Sequence, residues 1–218
     1  INKNLKLKII FSNIEKHFLK KKVLGITNNS LKVKKDFLFV AIKGNTQNGN
    51  DFIQESQKNG SSIILSSEKK GPNVITLQGE NLLIIYSLLC SAFYEKKPNN
   101  IIGVTGTNGK TSVVEFCRQI WQLAGWKSAS MGTLGTKISG ETSFHSETAQ
   151  LTTYEPSTLH KDLNKLYNSE VTHLSMEASS HGLSQKRLYG INFCGAVFTN
   201  LSHDHLDYHQ TLNNYFDT

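Results

Sequence analysis

Residues 101–112 read Ile-Ile-Gly-Val-Thr-Gly-Thr-Asn-Gly-Lys-Thr-Ser, an apolar strand that runs into a glycine loop, ends in Lys-Thr and opens a helix. Few folds accept that order. Gly106 and Gly109 allow backbone conformations that turn successive N–H groups toward an anion, and the helix that follows aims its N-terminal dipole at the same point. Phosphate is the natural ligand. Lys110 is placed to reach the β- and γ-phosphates, and the Thr111 hydroxyl to sit on Mg²⁺. The helix is expected over Lys110 to Ala124, with Val113, Phe116, Cys117, Ile120, Trp121 and Ala124 as a core-facing stripe.

The loop is not the long G-x-x-x-x-G-K-[ST] form, because the residue five before Gly109 is Val104; it is a shorter G-x-x-G-K-[ST] variant. Nor is it the dinucleotide fingerprint. Gly103, Gly106 and Gly109 are spaced G-x-x-G-x-x-G, and Lys-Thr is foreign to that motif.

Around this loop the chain reads as α/β. Strands are expected at Ile101 to Thr105, Val171 to Glu177 and Gly195 to Thr199, alternating with helices at Lys110 to Ala124 and Pro156 to Tyr167, the pattern of a parallel, doubly wound sheet. Upstream, Phe37 to Ile42 and Ser62 to Leu65 read as buried strands, Asp51 to Lys58 as a short helix and Glu80 to Tyr94 as a longer one. The polar stretch Glu95-Lys96-Lys97-Pro98-Asn99-Asn100 marks the boundary, giving a small α/β domain over 1–97 and the first part of a mainly parallel-sheet P-loop domain over 98–218.

Composition narrows the functions. With 38% hydrophobic and 19% charged residues the chain belongs with folded proteins, and its longest apolar run, Leu82 to Phe93, is too short for a membrane span. Cys90, Cys117 and Cys194 form no C-x-x-C pair, so neither a disulfide framework nor a zinc knuckle is expected, and a reducing, cytoplasmic setting fits. The net charge of +7 arises wholly from residues 1–97, which carry 16 Lys against 7 acidic residues. A basic lobe of this kind suits nucleic acid only where Arg and aromatics are interleaved; with 22 Lys and 2 Arg in the chain, a solvated face is the better reading.

Two further strands deliver polar groups to their carboxyl ends, where open α/β sheets bind ligands. The first ends in Met176-Glu177-Ala178-Ser179-Ser180-His181-Gly182-Leu183, and its carboxylate suits Mg²⁺. The second ends in Thr199-Asn200-Leu201-Ser202-His203-Asp204-His205-Leu206-Asp207-Tyr208-His209. Two such edges beside a phosphate loop make one site. His203, His205, Asp207 and His209 nearly spell the ligand run of dinuclear metallohydrolases, but Tyr208 stands where an adjacent histidine is needed. Ser179-Ser180-His181 lacks a G-x-S-x-G elbow, which disfavours serine hydrolysis.

These stretches, with Leu151-Thr152-Thr153, resemble the Mur ligases, and Asn28-Asn29-Ser30 and Phe37 to Gly44 resemble that family's N-terminal, UDP-binding domain. Among its members the resemblance is strongest to those that add a diamino acid to UDP-N-acetylmuramoyl-L-alanyl-D-glutamate in peptidoglycan synthesis. Folylpolyglutamate synthetases share the nucleotide core but resemble a G-T-N-G-K-G-S loop.

The resemblance implies a cytoplasmic, monomeric, ATP-dependent amide ligase. ATP phosphorylates the glutamate carboxylate, and the amine of L-lysine or meso-diaminopimelate attacks the acyl phosphate. It implies that Gly106, Thr107, Asn108, Gly109, Lys110, Thr111 and Ser112 hold ATP, and that Thr111, Glu177 and His205 hold Mg²⁺, with Lys110, Glu177 and His205 as the catalytic set. Thr152, Thr153, Ser179, Gln185 and Arg187 would contact the muramoyl dipeptide, and Ser30, Asn45, Thr46 and Gln47 the uridine end. Chemistry supports Arg187, one of only two arginines, as a planar grip for a carboxylate or phosphate. No nucleic-acid partner and no membrane insertion are expected.

The chain departs from the family in places. Asn29-Ser30-Leu31 stands where Asp-Ser-Arg is usual, so one guanidinium contact to uridine is missing; Thr152-Thr153-Tyr154-Glu155-Pro156 stands for T-T-P-D-P, and Ala178 for Val. The sequence opens on Ile1 and stops at Thr218, whereas the family's carbamylated lysine and amino-acid-binding domain lie further on. The expectation is a fragment that binds nucleotide or UDP-sugar weakly and does not turn over, with a nucleotide-binding remnant as the alternative.

Overall fold

In the first half, short apolar runs alternate with polar turns, and they form a wholly parallel sheet. The computed structural model describes residues 18, 20–44, 47–68, 71–77, 79–140 and 151–218. The chain divides into two units, Ile1–Phe93 and Tyr94–Thr218. In the first, strands β1 (Gly25–Thr27), β2 (Phe37–Ala41), β3 (Ser61–Ser66) and β4 (Val74–Thr76) lie side by side in sequence order. Among the described residues its helices include α1 (Ile53–Lys58) and α2 (Gly79–Phe93), with a 3₁₀ turn over Gly49–Phe52 leading into α1. Alternation sorts the side chains: Phe39, Ala41 and Ile64 join Val33, Ile53 and Val74 in one cluster, while Leu38, Val40, Ile63 and Leu65 are fully buried on the other face.

The second unit is a five-stranded sheet in the order β7-β6-β8-β5-β9. Its strands are β5 (Asn100–Thr105), β6 (Ser128–Gly132), β7 (Gly135–Ile138), β8 (His173–Glu177) and β9 (Gly195–Phe198). The helices are α3 (Lys110–Leu123), α4 (Pro156–Asn168), α5 (Ser180–Ser184), α6 (Leu206–His209) and α7 (Leu212–Asp217). β5 pairs parallel with both β8 and β9, so the strand order reverses beside it and the loops after all three strands leave the same edge. On one face Ile101, Ala129, Met131, Leu174 and Met176 pack with Leu159, Leu163 and Leu166 of α4. Fourteen buried residues make this cluster, enough to hold the strand ends in register beneath the loops. No helix among the described residues is long and apolar enough to cross a membrane.

The sheet is mainly parallel, as expected: four strands of the five run parallel and β7 runs antiparallel to β6. Two expectations need correction. β8 starts at His173, because the Val171 and Thr172 amides bond to Leu166 and Lys127 carbonyls instead of a neighbouring strand. The α3 stripe is not core. Phe116, Ile120 and Leu123 are 60%, 62% and 89% exposed, and only Val114 of this helix is buried. The helix meets the sheet through hydrogen bonds: Ser175 Oγ donates to the Val114 carbonyl at 2.7 Å and Ser128 Oγ to that of Arg118 at 2.8 Å. Serine is small enough to let the backbone approach, which turns the large apolar residues outward.

α4 carries a fully buried imidazole. His160 Nε2–H donates to the Tyr189 carbonyl at 3.3 Å, a tautomer fixed by the acceptor, and Nδ1 has no partner among the described residues. Burial, aided by the charge of Lys97 and opposed by the Tyr189 bond, pushes its pKa down to about 3. The folded value lies below the unfolded one, so the folded state resists protonation. Stability from this group is complete above the unfolded pKa of 6.5 and is lost as pH falls toward about 3. Asp162, raised above 3.8 chiefly by burial, acts in the opposite sense, since its protonation favours the folded state. Between pH 7 and pH 5 the second unit should lose about 2 kcal/mol through His160. Calorimetry of wild type and His160→Leu across that range should show a markedly flatter profile in the variant.

Candidate functional site

The glycine loop leaves β5 in a conformation that its residues make possible. Gly106 has φ 124° and Gly109 φ 86°. A Cβ on Gly106 would sit 2.8 Å from the Asn200 carbonyl oxygen and 3.0 Å from its nitrogen, so only glycine fits against the loop after β9. That loop locks the other: Thr107 N–H donates to the Asn200 carbonyl at 2.9 Å and Asn108 N–H to Asn200 Oδ1 at 3.0 Å, while Thr199 Oγ1 donates to the Asn108 carbonyl at 2.7 Å. Gly109 is the N-cap of α3 and offers no side-chain cap, so the first-turn amides remain available to a ligand. Lys110 Nζ folds back to donate to the Gly106 and Thr107 carbonyls at 2.7 and 2.9 Å. The loop is thus pre-shaped as an anion cradle with its cation in place.

Glu177, the last residue of β8, is 2% exposed beside this cradle. Its Oε1 accepts from the Thr111 hydroxyl at 3.0 Å and the Thr133 amide at 2.9 Å, and its Oε2 from the Thr133 hydroxyl at 3.2 Å. All three donors are neutral, and among the described residues no cation pairs with this carboxylate. A buried carboxylate without a counter-charge, touching the hydroxyl that follows the loop lysine, is chemically suited to a hard divalent cation. Thr133 is the residue that sequence reasoning missed. It lies in the turn between β6 and β7, and its hydroxyl also meets that of Thr152 at 3.1 Å. The signal was the Gly132-Thr133-Leu134-Gly135 hairpin; a Cβ on Gly132 would fall 2.6 Å from Glu177 Cγ.

The other expected ligand contacts gather one step away. Thr153 is 2% exposed and its hydroxyl is used within the protein, donating to the Glu177 carbonyl at 3.0 Å and accepting from the Ser179 amide at 2.8 Å. Ser179 caps α5, its Oγ accepting from Gly182 N–H. Arg187, 8% exposed, donates through Nη1 to the Thr153 carbonyl at 2.6 Å and through Nε to Gln185 Oε1 at 3.0 Å, and Nη2 pairs with Glu155 Oε1 at 2.8 Å. Thr152, Thr153, Ser179, Gln185 and Arg187 therefore form one connected patch with Glu177.

The histidines do not join it through Glu177. His205 adopts φ 53° ahead of α6, and its ring lies 4.8 Å from that of His181 and 6.3 Å from that of Tyr215. Among the described residues it makes no hydrogen bond or ion pair with Thr111 or Glu177. Burial, helped by the neighbouring His205 and His209, lowers the His181 pKa, and burial first and His205 second lower that of His209. His203, His205, Asp207 and His209 are not gathered round a point: among the described residues no group of three or more His, Cys, Asp or Glu side chains could hold a metal ion.

In the first unit Ser30 follows β1 and Gln47 follows β2, neighbouring parallel strands whose carboxyl ends share an edge. Asn29 Oδ1 accepts from Leu31 N–H at 2.9 Å, which shapes the turn that buries Ser30 and leaves Leu31 78% exposed. Gly44 N–H donates to the Gln47 carbonyl at 2.9 Å. Asn45 and Thr46 lie outside the described residues.

A parallel sheet whose order reverses beside a G-x-x-G-K-T loop, with a carboxylate at the next strand end, defines the phosphate-loop class of α/β proteins. Residues 104–218 match the family model of the Mur ligase middle domain. The chain belongs to the Mur ligase family. It is 45% identical over 201 residues to the UDP-N-acetylmuramoyl-L-alanyl-D-glutamate–2,6-diaminopimelate ligase of Anaplasma marginale, covering 89% of this chain and 41% of that one. The ligase of the same name from Agrobacterium fabrum is 41% identical over 191 residues, covering 88% and 38%. A solved structure of a ligase of that name superposes with a TM-score of 0.80 at 28% identity, over 96% of this chain and 43% of the other. MurF ligase from Thermotoga maritima in complex with ADP shares the fold, with a TM-score of 0.58 at 20% identity over 89% of this chain and 41% of that one. The chain thus spans about two fifths of the length of these relatives.

Proposed function

We propose that the protein is an ATP-dependent amide ligase that joins a diamino acid to UDP-N-acetylmuramoyl-L-alanyl-D-glutamate, a cytoplasmic step of peptidoglycan synthesis. The observation that carries this reading is the Thr111–Glu177 contact at 3.0 Å, which puts a buried carboxylate of no assigned counter-charge beside a phosphate cradle. The names of the relatives favour 2,6-diaminopimelate over L-lysine as the amine. In this reading residues 106–112 hold the triphosphate, and Lys110, whose ammonium spends two of its three N–H bonds on the Gly106 and Thr107 carbonyls, meets it with the third.

Thr111 and Glu177 fit Mg²⁺, which binds through one or two protein ligands plus phosphate and water, and the ion would supply charge neutralisation between the triphosphate and the incoming carboxylate. His205, held in the aromatic cluster with His181, has no comparable observation behind a ligand role. Thr133 fixes both carboxylate oxygens of Glu177. Thr152, Ser179, Gln185 and Arg187 orient the dipeptide so that its glutamate carboxylate oxygen attacks the γ-phosphorus. ADP leaves, and the amine nitrogen then attacks the acyl carbon and expels phosphate while losing its proton. In the first unit Ser30 and Gln47 are assigned to the uridine end.

The test is ADP release by the protein made from its whole reading frame. ADP should form only when the UDP-sugar dipeptide and the diamino acid are both present. ADP formation that ignores either substrate would refute the ligase reading.

A further inference from the structure

The arginine expected to grip an anionic substrate is already holding a carboxylate. A guanidinium has five N–H bonds. In Arg187 three carry hydrogen bonds, from Nε and Nη2 to Gln185 Oε1 and from Nη1 to the Thr153 carbonyl, and Nη2 is also ion-paired with Glu155 Oε1 at 2.8 Å. A two-point grip on an incoming carboxylate needs the remaining hydrogens of Nη1 and Nη2 together, and Glu155 sits against Nη2, so a resident acceptor has to leave. The Thr153 carbonyl is fixed by a buried backbone, and Gln185 is neutral. Glu155 is the charged competitor.

The position of Glu155 suits departure. Its side chain is 26% exposed while that of Arg187 is 9% exposed, so Glu155 lies on the solvent side of the pair. It is the N-cap of α4 yet does not cap that helix, its backbone extended at φ −59°, ψ 145° and anchored by Pro156 at the first helical position. The Glu155 carbonyl accepts from Leu159 N–H at 2.8 Å, so the backbone stays in place whatever the side chain does.

The geometry points to Glu155 as a resident carboxylate that occupies the anion-gripping edge of Arg187 and is displaced by the carboxylate of the ligand. The inference rests on the reading of Arg187 as a contact to the UDP-sugar dipeptide. Glu155 thereby acts as a specificity device. It prevents a buried arginine from capturing stray anions, and a ligand must offer a carboxylate at this edge to replace it. It also lowers affinity by the cost of breaking a partly buried ion pair.

The experiment is titration calorimetry on the protein from its whole reading frame, wild type and Glu155→Gln, with UDP-N-acetylmuramoyl-L-alanyl-D-glutamate and with UDP-N-acetylmuramoyl-L-alanine, which lacks the glutamate. The variant keeps an acceptor and loses the charge. It should bind the dipeptide form about fivefold more tightly and the shorter form unchanged. In an Arg187→Lys background, where the fork is gone, Glu155→Gln should give no gain. Unchanged or weaker binding of the dipeptide form by Glu155→Gln, or equal tightening for both ligands, would overturn the displacement. A wild type that binds neither ligand would instead refute the substrate assignment, and the displacement with it.

Discussion

In the protein made from its whole reading frame, Lys110→Ala should lower ADP formation by about 10²- to 10³-fold, the cost of removing one preorganised charge from a developing phosphoryl transfer. The structure gives the reason a loss this large is expected from one side chain. The lysine spans the loop, bonded to the Gly106 and Thr107 carbonyls at 2.7 and 2.9 Å, so the cradle is assembled around its ammonium before any nucleotide arrives. Lys110→Arg retains charge but not the compact ammonium that fits between two carbonyls, and should recover only a small part of the rate. Thermal unfolding of both variants should stay close to wild type, because the loop is also locked by Thr199 and Asn200. A rate loss matched by a comparable loss of stability would show that Lys110 only holds the loop.

Glu177→Gln should separate activity from stability in opposite directions. The carboxylate is 2% exposed and surrounded by the neutral donors Thr111 and Thr133. Removing its charge relieves a buried anion that no cation among the described residues neutralises, so the melting temperature should hold or rise. Turnover should fall about 10²-fold or more, and the Mg²⁺ concentration for half-maximal rate should rise about tenfold or more, since a glutamine oxygen binds this cation poorly. Titrating Mg²⁺ at saturating ATP checks this. An unchanged Mg²⁺ requirement would remove Glu177 from the metal site.

The glycine loop and Glu177 were legible in the sequence because their chemistry is local: a strand, two glycines, a lysine and a threonine, then a carboxylate at a strand end. Much of the sheet was not. β6 is Ser-Ala-Ser-Met-Gly, without the apolar run that announces a strand, yet every residue is buried, because the serine hydroxyls find partners inside the fold: Ser128 on the Arg118 carbonyl and Ser130 on Glu115. The same hydrogen bonds explain the error on α3. Periodicity marked Phe116 and Ile120 as inward, whereas the helix turns toward the serines and leaves them exposed. Thr133 escaped notice because its role depends on a hairpin meeting Glu177, forty-four residues on. Arg187 was legible as an anion-gripping side chain, but its pairing with Glu155 comes from the packing of the segment before α4 and leaves no trace in spacing.

In the proposed reaction the cradle, the carboxylate at β8 and the arginine patch drive amide formation through an acyl phosphate. The most direct test uses UDP-N-acetylmuramoyl-L-alanyl-D-glutamate labelled with ¹⁸O in the reacting carboxylate, together with ATP, Mg²⁺ and 2,6-diaminopimelate. A carboxylate oxygen that attacks the γ-phosphorus departs with the phosphate when the amine takes its place. Mass spectrometry should therefore find one ¹⁸O in each phosphate released. Amide product accompanied by unlabelled phosphate would contradict the account.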